Sequence, residues 1–346
     1  MNTSLGQTSD KFREITGNIA EIGLNWHENT LVNNAKNNKP NIRHTIRDLK
    51  PTEGKKSESA IVISAGPSLY KNKILERILS AGYGGTIIAV DGSFIRCLKG
   101  QIDVDYVLTL DPHPTRIVRW FGDPQFEKNS EGDNYYSRQD LDVSFRNDSV
   151  KENAKNIELV NKLASGKNLI ICSSAPKNVV ARCDEAGMKL HWWAPLVDDP
   201  KHPDSITRKL VNITGLPAMN TGGTVGTAAW VFAQTVLRIP SIAVVGMDLG
   251  YYKEDTSYYQ TQTYYALKEL VGIDDLESFF PECTFPLTGE AFYTDPTYFW
   301  YRQNMLDLLK ASGTTVYNCT GGGTLVGEGV KCVELEEFIA AHSKTS

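Results

Sequence analysis

The sequence predicts an α/β protein of Rossmann-like type: a mostly parallel sheet with helices on both faces, plus a helical N-terminal extension. Three observations carry this expectation. Apolar runs of strand length recur through the chain, among them Ile61–Ile63, Ile87–Val90, Tyr106–Leu110 and Ile242–Val245. Each is followed by small or acidic residues: Ser64-Ala65-Gly66-Pro67-Ser68, Asp91-Gly92-Ser93, Asp111-Pro112 and Gly246-Met247-Asp248. Stretches of helical spacing lie between them, the rhythm of βαβ units. In an open parallel sheet ligands bind outside the carboxyl ends of the strands, so these turns mark where the chemistry belongs.

Residues 1–58 read as the extension. Phe12, Ile15, Ile19, Ile22 and Leu24 recur at roughly helical spacing, and Pro51 to Ser59 has the composition of a linker. Residues 59–346 read as one Rossmann-like domain with loop insertions near 122–146 and 250–291. Strand Ala60–Ser64 leads into a helix over Leu69–Ala81, strand Thr86–Val90 into a helix ending near Gly100, and strand Asp105–Leu110 into Asp111-Pro112. A helix over Val150–Ala164 precedes strand Asn168–Cys172, a helix to Glu185 and strand Lys189–Trp193. Leu196–Ile213, with prolines and many charges, reads as a surface loop. An apolar helix over Ala228–Leu237, strand Ser241–Val245 and a tyrosine-rich candidate lid over Gly250–Ala291 follow. Helix Thr297–Ala311, strand Thr315–Asn318 and a closing helix over Glu334–His342 complete the chain.

Composition narrows the function classes. The chain has 346 residues, 41% hydrophobic and 22% charged, close to globular averages. A net charge of -5 argues against a dedicated nucleic-acid binder. No apolar stretch approaches the ~20 residues that span a bilayer, and Met1–Asp10 carries no apolar signal core. The six Cys are scattered without a C-x-x-C pair, as expected of buried thiols in a reducing compartment. A cytoplasmic protein is expected, with no nucleic-acid partner and no membrane span; a homo-oligomer is left open.

Ala65-Gly66-Pro67-Ser68 is neither a dinucleotide fingerprint nor a Walker A loop, because only one Gly is present and no Gly-Lys-Ser/Thr follows. It can receive a phosphate on free amides at a helix start, or serve as a tight connection with Ser68 as cap. Asp91 and Asp111, each just past a strand, can hold a ribose, a substrate hydroxyl or Mg²⁺; as a helix cap and a turn starter they have structural readings too. Asn220-Thr221-Gly222-Gly223 opens an apolar helix and is the strongest phosphate cradle in the chain. Asp248 can orient a sugar or base, or cap the strand end. His113, two residues after Asp111, is a candidate general acid or base, with a surface histidine as the plainer alternative. No G-x-S-x-G elbow occurs.

The ordered set Ala65-Gly66-Pro67-Ser68-Leu69, Val90-Asp91-Gly92-Ser93, Thr109-Leu110-Asp111-Pro112, Asn220-Thr221-Gly222-Gly223-Thr224-Val225 and Val245-Gly246-Met247-Asp248-Leu249 resembles the MptE-like family. That family includes archaeal 6-hydroxymethylpterin pyrophosphokinases and the motility accessory factors, flagellin glycosyltransferases for nonulosonic acids. Tyr293-Thr294-Asp295-Pro296 and Asn318-Cys319-Thr320-Gly321-Gly322-Gly323 also look like the motility factors. A more distant similarity runs to bacterial CMP-sialic-acid-dependent sialyltransferases. The resemblance implies that Gly66, Pro67 and Ser68 approach a phosphate, that Asn220, Thr221 and Gly222 meet the nucleotide, and that Asp248 lies beside it. The chain departs from the pattern twice. The sialyltransferase general-base His is missing between Asp248 and Leu325. The Asp-Leu-Asp of the pyrophosphokinases is Thr109-Leu110-Asp111 here.

The expectation is therefore a transferase using a CMP-type nucleotide sugar as donor, with a glycan, protein or pterin as acceptor and Asp111, His113 and Asp91 as candidate catalytic residues. The alternative is a pyrophosphokinase using ATP and Mg²⁺, with Asp91 and Asp111 as metal ligands. A binding module without catalysis is the third reading.

Overall fold

The structure is a computed structural model that describes residues 8–50, 52–133, 144–254, 263–264, 267–268 and 276–343. The chain divides into two compact units. One comprises Trp26–Ile63 and Gly84–Pro240, the other Met1–Asn25, Ser64–Tyr83 and Ser241–Ser346; they are called the first and second unit below. The fold class is α/β, mostly parallel with flanking helices, as expected.

In the first unit the strands are β1 (His44–Thr45), β2 (Ser59–Ile63), β3 (Thr86–Val90), β4 (Tyr106–Thr109), β5 (Asn168–Cys172), β6 (Lys189–Leu196) and β7 (Ala218–Asn220). They run β1-β6-β5-β4-β3-β2, with β7 also on β6, and every pair is parallel. β2, β3 and β4 are buried along their whole length. A strand covered on both faces must be apolar throughout, which is why these three read as continuous runs and not as alternations. The helix Val225–Val231 packs on β2, β3, β4 and β7 and continues as a π-turn, Phe232–Val236.

In the second unit β8 (Ser241–Val245), β12 (Val316–Asn318) and β13 (Val330–Cys332) are parallel neighbours in that order. Between them in sequence, β9 (Tyr251–Tyr252), β10 (Glu282–Thr284) and β11 (Ala291–Tyr293) form an antiparallel sheet in the order β10-β11-β9. Two clusters pack against it: Phe12 with Phe279, Phe280 and Tyr293, and Tyr252 with Phe285, Phe292 and Val326. The described part of the tyrosine-rich segment is thus a packed sheet with its own aromatic core. The rest of that segment (255–262, 265–266 and 269–275) and positions 134–143 of the other expected insertion lie outside the described residues.

Three local expectations are corrected. Leu196–Ile213 is not simply a surface loop, because a helix spans Ile206–Thr214. Ser205 caps it through the Arg208 amide, and the Asp198 carboxylate takes the amides of Ile206 and Thr207 at 2.6 and 3.0 Å. Two acceptors on one helix start outweigh the prolines upstream. The helix expected over Leu69–Ala81 is broken into Ser68–Lys71 and Ile74–Ser80, since Lys73 adopts a left-handed conformation at φ 48°. Ser68 does not cap: Pro67 holds the cap position and the Ser68 hydroxyl goes elsewhere. Among the described residues no helix is long and apolar enough to cross a membrane.

Candidate functional site

In the first unit the carboxyl edge is built by neighbouring strands. Val90 stands in register with Leu108, so Asp91, the first residue of helix Asp91–Lys99, and Asp111, two residues beyond β4, fall on the same edge. Asp91 is buried. Its Oδ1 accepts the Gly92 amide at 2.7 Å and its Oδ2 accepts the Thr109 hydroxyl at 2.9 Å. Burial pushes this carboxyl up to about 7, against those two hydrogen bonds, and the neighbouring Asp111 adds to the rise.

Asp111 Oδ1 accepts the His113 amide at 2.7 Å, an Asx turn that fixes the ring two residues on. The His113 imidazole is half-buried; burial first and the Arg116 charge second hold it below the ordinary histidine range. Its Nδ1 lies 3.2 Å from the Thr115 hydroxyl, which itself donates to Asp133. The Thr115 amide also donates to Nδ1, at 3.4 Å, so Thr115 holds the ring at this nitrogen through both its hydroxyl and its backbone.

The loops of this edge are tied down by two amides on the helix Asp10–Asn38. Asn34 Nδ2 donates to Ser174 O at 2.9 Å and to Pro112 O at 3.2 Å. Asn38 Nδ2 donates to Ser173 O at 2.9 Å and Ala175 O at 2.8 Å. Their spacing of four places both on one helix face. Sequence reading missed them; an i, i+4 pair of Asn in a polar helix was the available signal.

Asn220 ends β7. Its Oδ1 accepts the Gly222 amide at 2.8 Å, the Thr221 hydroxyl oxygen accepts the Gly223 amide at 3.2 Å, and Thr224 caps the helix through Thr227. Gly222 and Gly223 both have positive φ. Among the described residues no hydrogen bond joins this loop to Asp91, Asp111 or His113.

In the second unit the turn after β2 meets the turn after β8. Ser64 N–H donates to Val245 O, and Gly66 N–H to Gly246 O, each at 2.8 Å. The Asp248 carboxylate accepts the Ser68 hydroxyl at 2.8 Å and the Ser68 amide at 3.3 Å. Asp248 is buried, and burial raises it to about 6. Gly66, Ser68 and Asp248 are therefore together, but the Gly66 and Ser68 amides already have acceptors and Pro67 has none to offer.

The MptE-like family model, described as 6-hydroxymethylpterin diphosphokinase MptE-like, matches residues 28–123. Among solved structures the chain is similar to the Maf glycosyltransferase from Magnetospirillum magneticum AMB-1, with a TM-score of 0.55 and 12% identity. The match covers 91% of this chain and 40% of that one, so this chain spans less than half the length of the Maf protein. At that identity the likeness is one of fold. No curated protein matches the chain.

Proposed function

We propose that this chain is a nucleotide-binding transferase that takes a CMP-type nucleotide sugar and passes its acidic sugar to an acceptor hydroxyl. The observation that carries the reading is the Asp111–His113 turn at the carboxyl edge of the first unit. Its half-buried imidazole is held below the ordinary histidine range by burial and Arg116, and Thr115, itself bonded to Asp133, anchors it at Nδ1. Such a group is a general base. In the proposed step the acceptor hydroxyl gives its proton to the His113 imidazole and its oxygen bonds the anomeric carbon. The bond from that carbon to the donor phosphate breaks, and CMP leaves with the electron pair. Asp111 orients the acceptor, and Asp91 holds the turn. Asn220, Thr221, Gly222 and Gly223, of the same unit, meet the nucleotide. The fold shared with a Maf glycosyltransferase supports this reading.

The family match over residues 28–123 favours a second reading, a pyrophosphokinase acting on a hydroxymethylpterin-like alcohol. It needs Mg²⁺ between Asp91 and Asp111. That donor set fits poorly. Both Asp91 oxygens and one Asp111 oxygen already accept hydrogen bonds. Among the described residues no three His, Cys, Asp or Glu side chains group as metal ligands. Mg²⁺ demands near-octahedral oxygens, so no step is assigned to it.

The two readings separate in one assay. The purified chain is incubated with CMP-activated acidic sugars, and separately with Mg-ATP and a hydroxymethylpterin. Release of CMP supports the first reading. Release of AMP with no CMP released overturns it.

A further inference from the structure

The second unit holds a group of hydrogen-bond donors that the proposed chemistry has not used. β12 ends at Asn318, and Thr320-Gly321-Gly322-Gly323 follows. Gly321 and Gly323 have positive φ, 69° and 86°, with Gly322 between them. Alternating backbone signs turn successive amides toward one side, the arrangement that receives anions. Among the described residues no protein acceptor takes the amides of Gly321, Gly322 or Gly323, although Gly322 and Gly323 are buried. A buried amide without an acceptor costs about as much as a lost hydrogen bond.

Two side chains supply independent evidence. The Thr320 hydroxyl, on a residue 0% exposed, has no hydrogen-bond partner. The Tyr252 hydroxyl, on a residue 3% exposed, faces the Asn72 carboxamide but makes no hydrogen bond of normal geometry. It is directed at the turn: it would lie 3.1 Å from a β-carbon placed on Gly322. Buried hydroxyls are nearly always paired, and an orphan hydroxyl on a turn of unpaired amides, with a second poorly paired one beside it, requires an explanation.

The surroundings have the chemistry of an oxyanion site. Asn72 fixes the turn by donating to Thr320 O at 2.9 Å, and its carboxamide lies next to both Gly321 and the Tyr252 hydroxyl. The Lys71 ammonium sits 4.1 Å above the Tyr252 ring. Asp248 and Glu290 act on Tyr252 with the opposite sign; Asp248 is hydrogen-bonded to Ser68 and turned to that side.

We infer that the Thr320–Gly323 turn, with Tyr252, Asn72 and Lys71, is an oxyanion subsite for a phosphate or carboxylate. The inference deepens the nucleotide-sugar reading, whose donor carries both groups, but the geometry needs only an oxyanion. It also accounts for a feature of the Gly66–Ser68 turn: with the Gly66 and Ser68 amides engaged by the protein, the phosphate is received by the glycines after β12.

The test uses the full chain and two isosteric variants, Thr320→Val and Tyr252→Phe, with binding read by calorimetry and melting by thermal scan. The probes are inorganic phosphate, CMP, cytidine and free N-acetylneuraminic acid. An unpaired buried hydroxyl contributes nothing to the unliganded fold, so Thr320→Val melts at or above the wild-type temperature. Each variant weakens binding of the oxyanion it serves by about tenfold, the value of one hydrogen bond to a charged group. Loss confined to inorganic phosphate and CMP assigns the subsite to phosphate; loss confined to N-acetylneuraminic acid assigns it to carboxylate. If the variants lose inorganic phosphate while CMP never binds, the subsite stands and the nucleotide reading falls. If CMP and the free sugar acid bind wild type and both variants equally, or if no oxyanion binds wild type, the subsite is overturned.

Discussion

The Ser68 hydroxyl donates to Asp248 Oδ2 at 2.8 Å, and the same carboxylate occupies the space that a side chain at position 66 would fill. Two turns 180 residues apart are locked by this and three backbone-donated hydrogen bonds, and by the absence of a β-carbon.

Gly66→Ala therefore meets two obstacles. A β-carbon there collides with the Asp248 carboxylate and lies 2.6 Å from the Gly246 carbonyl oxygen. The second contact is backbone and cannot rotate away. Overpacking of this kind costs about 1–3 kcal/mol, read as a lower midpoint in urea unfolding. A midpoint equal to wild type would show that the turns are not held in this way.

Asn38→Ala leaves the carbonyls of Ser173 and Ala175 without their donor in a buried place. The expected loss is about 1–3 kcal/mol, with faster amide exchange over residues 173–175. Unchanged exchange in that loop would remove the helix from its role as a clamp.

Asp91 binds its proton more tightly folded than unfolded, its value standing near 7 against an ordinary 3.8. Its contribution to stability is full below about pH 4 and is lost as pH rises through about 7. Asp91→Asn removes that dependence, so the stability difference between variant and wild type shifts in favour of the variant over this window. A shift toward wild type with rising pH would contradict the assignment.

His113 must be neutral to act as a base. Burial and Arg116 hold its pKa below 6.5, so kcat/KM stays level down to a pH under the usual histidine value and then falls. His113→Gln lowers kcat by about 10²–10⁴-fold and flattens the acid limb. Thr115→Val keeps the limb but moves it, because Nδ1 loses its hydroxyl partner. An acid limb unchanged in His113→Gln would transfer the base role to another group.

The parallel core was legible because its strands are buried on both faces: β2, β3, β4 and β5 stand within a residue or two of where their apolar runs place them. β1, β7 and β13 were not legible, since strands of two or three residues carry no period. The helix Ile206–Thr214 was hidden by its charges; its signal was Ser205 and Asp198 ahead of Ile206 and Leu210, a cap before an i, i+4 apolar pair. At the site, the residues at strand ends could be named in advance. Their partners could not: the use of Ser68 by Asp248, of Asn38 by Ser173, and the convergence of Tyr252 with Thr320-Gly321-Gly322 depend on contacts between segments distant in sequence.

The central claim is that strand-end loops of this chain bind an anionic nucleotide donor without a metal. Calorimetric titration of the full chain with CMP in the presence of EDTA tests it most directly. The account predicts saturable binding that added Mg²⁺ does not strengthen and that exceeds the binding of ATP. No heat from CMP or CDP under these conditions, with binding only by Mg-ATP, would contradict it.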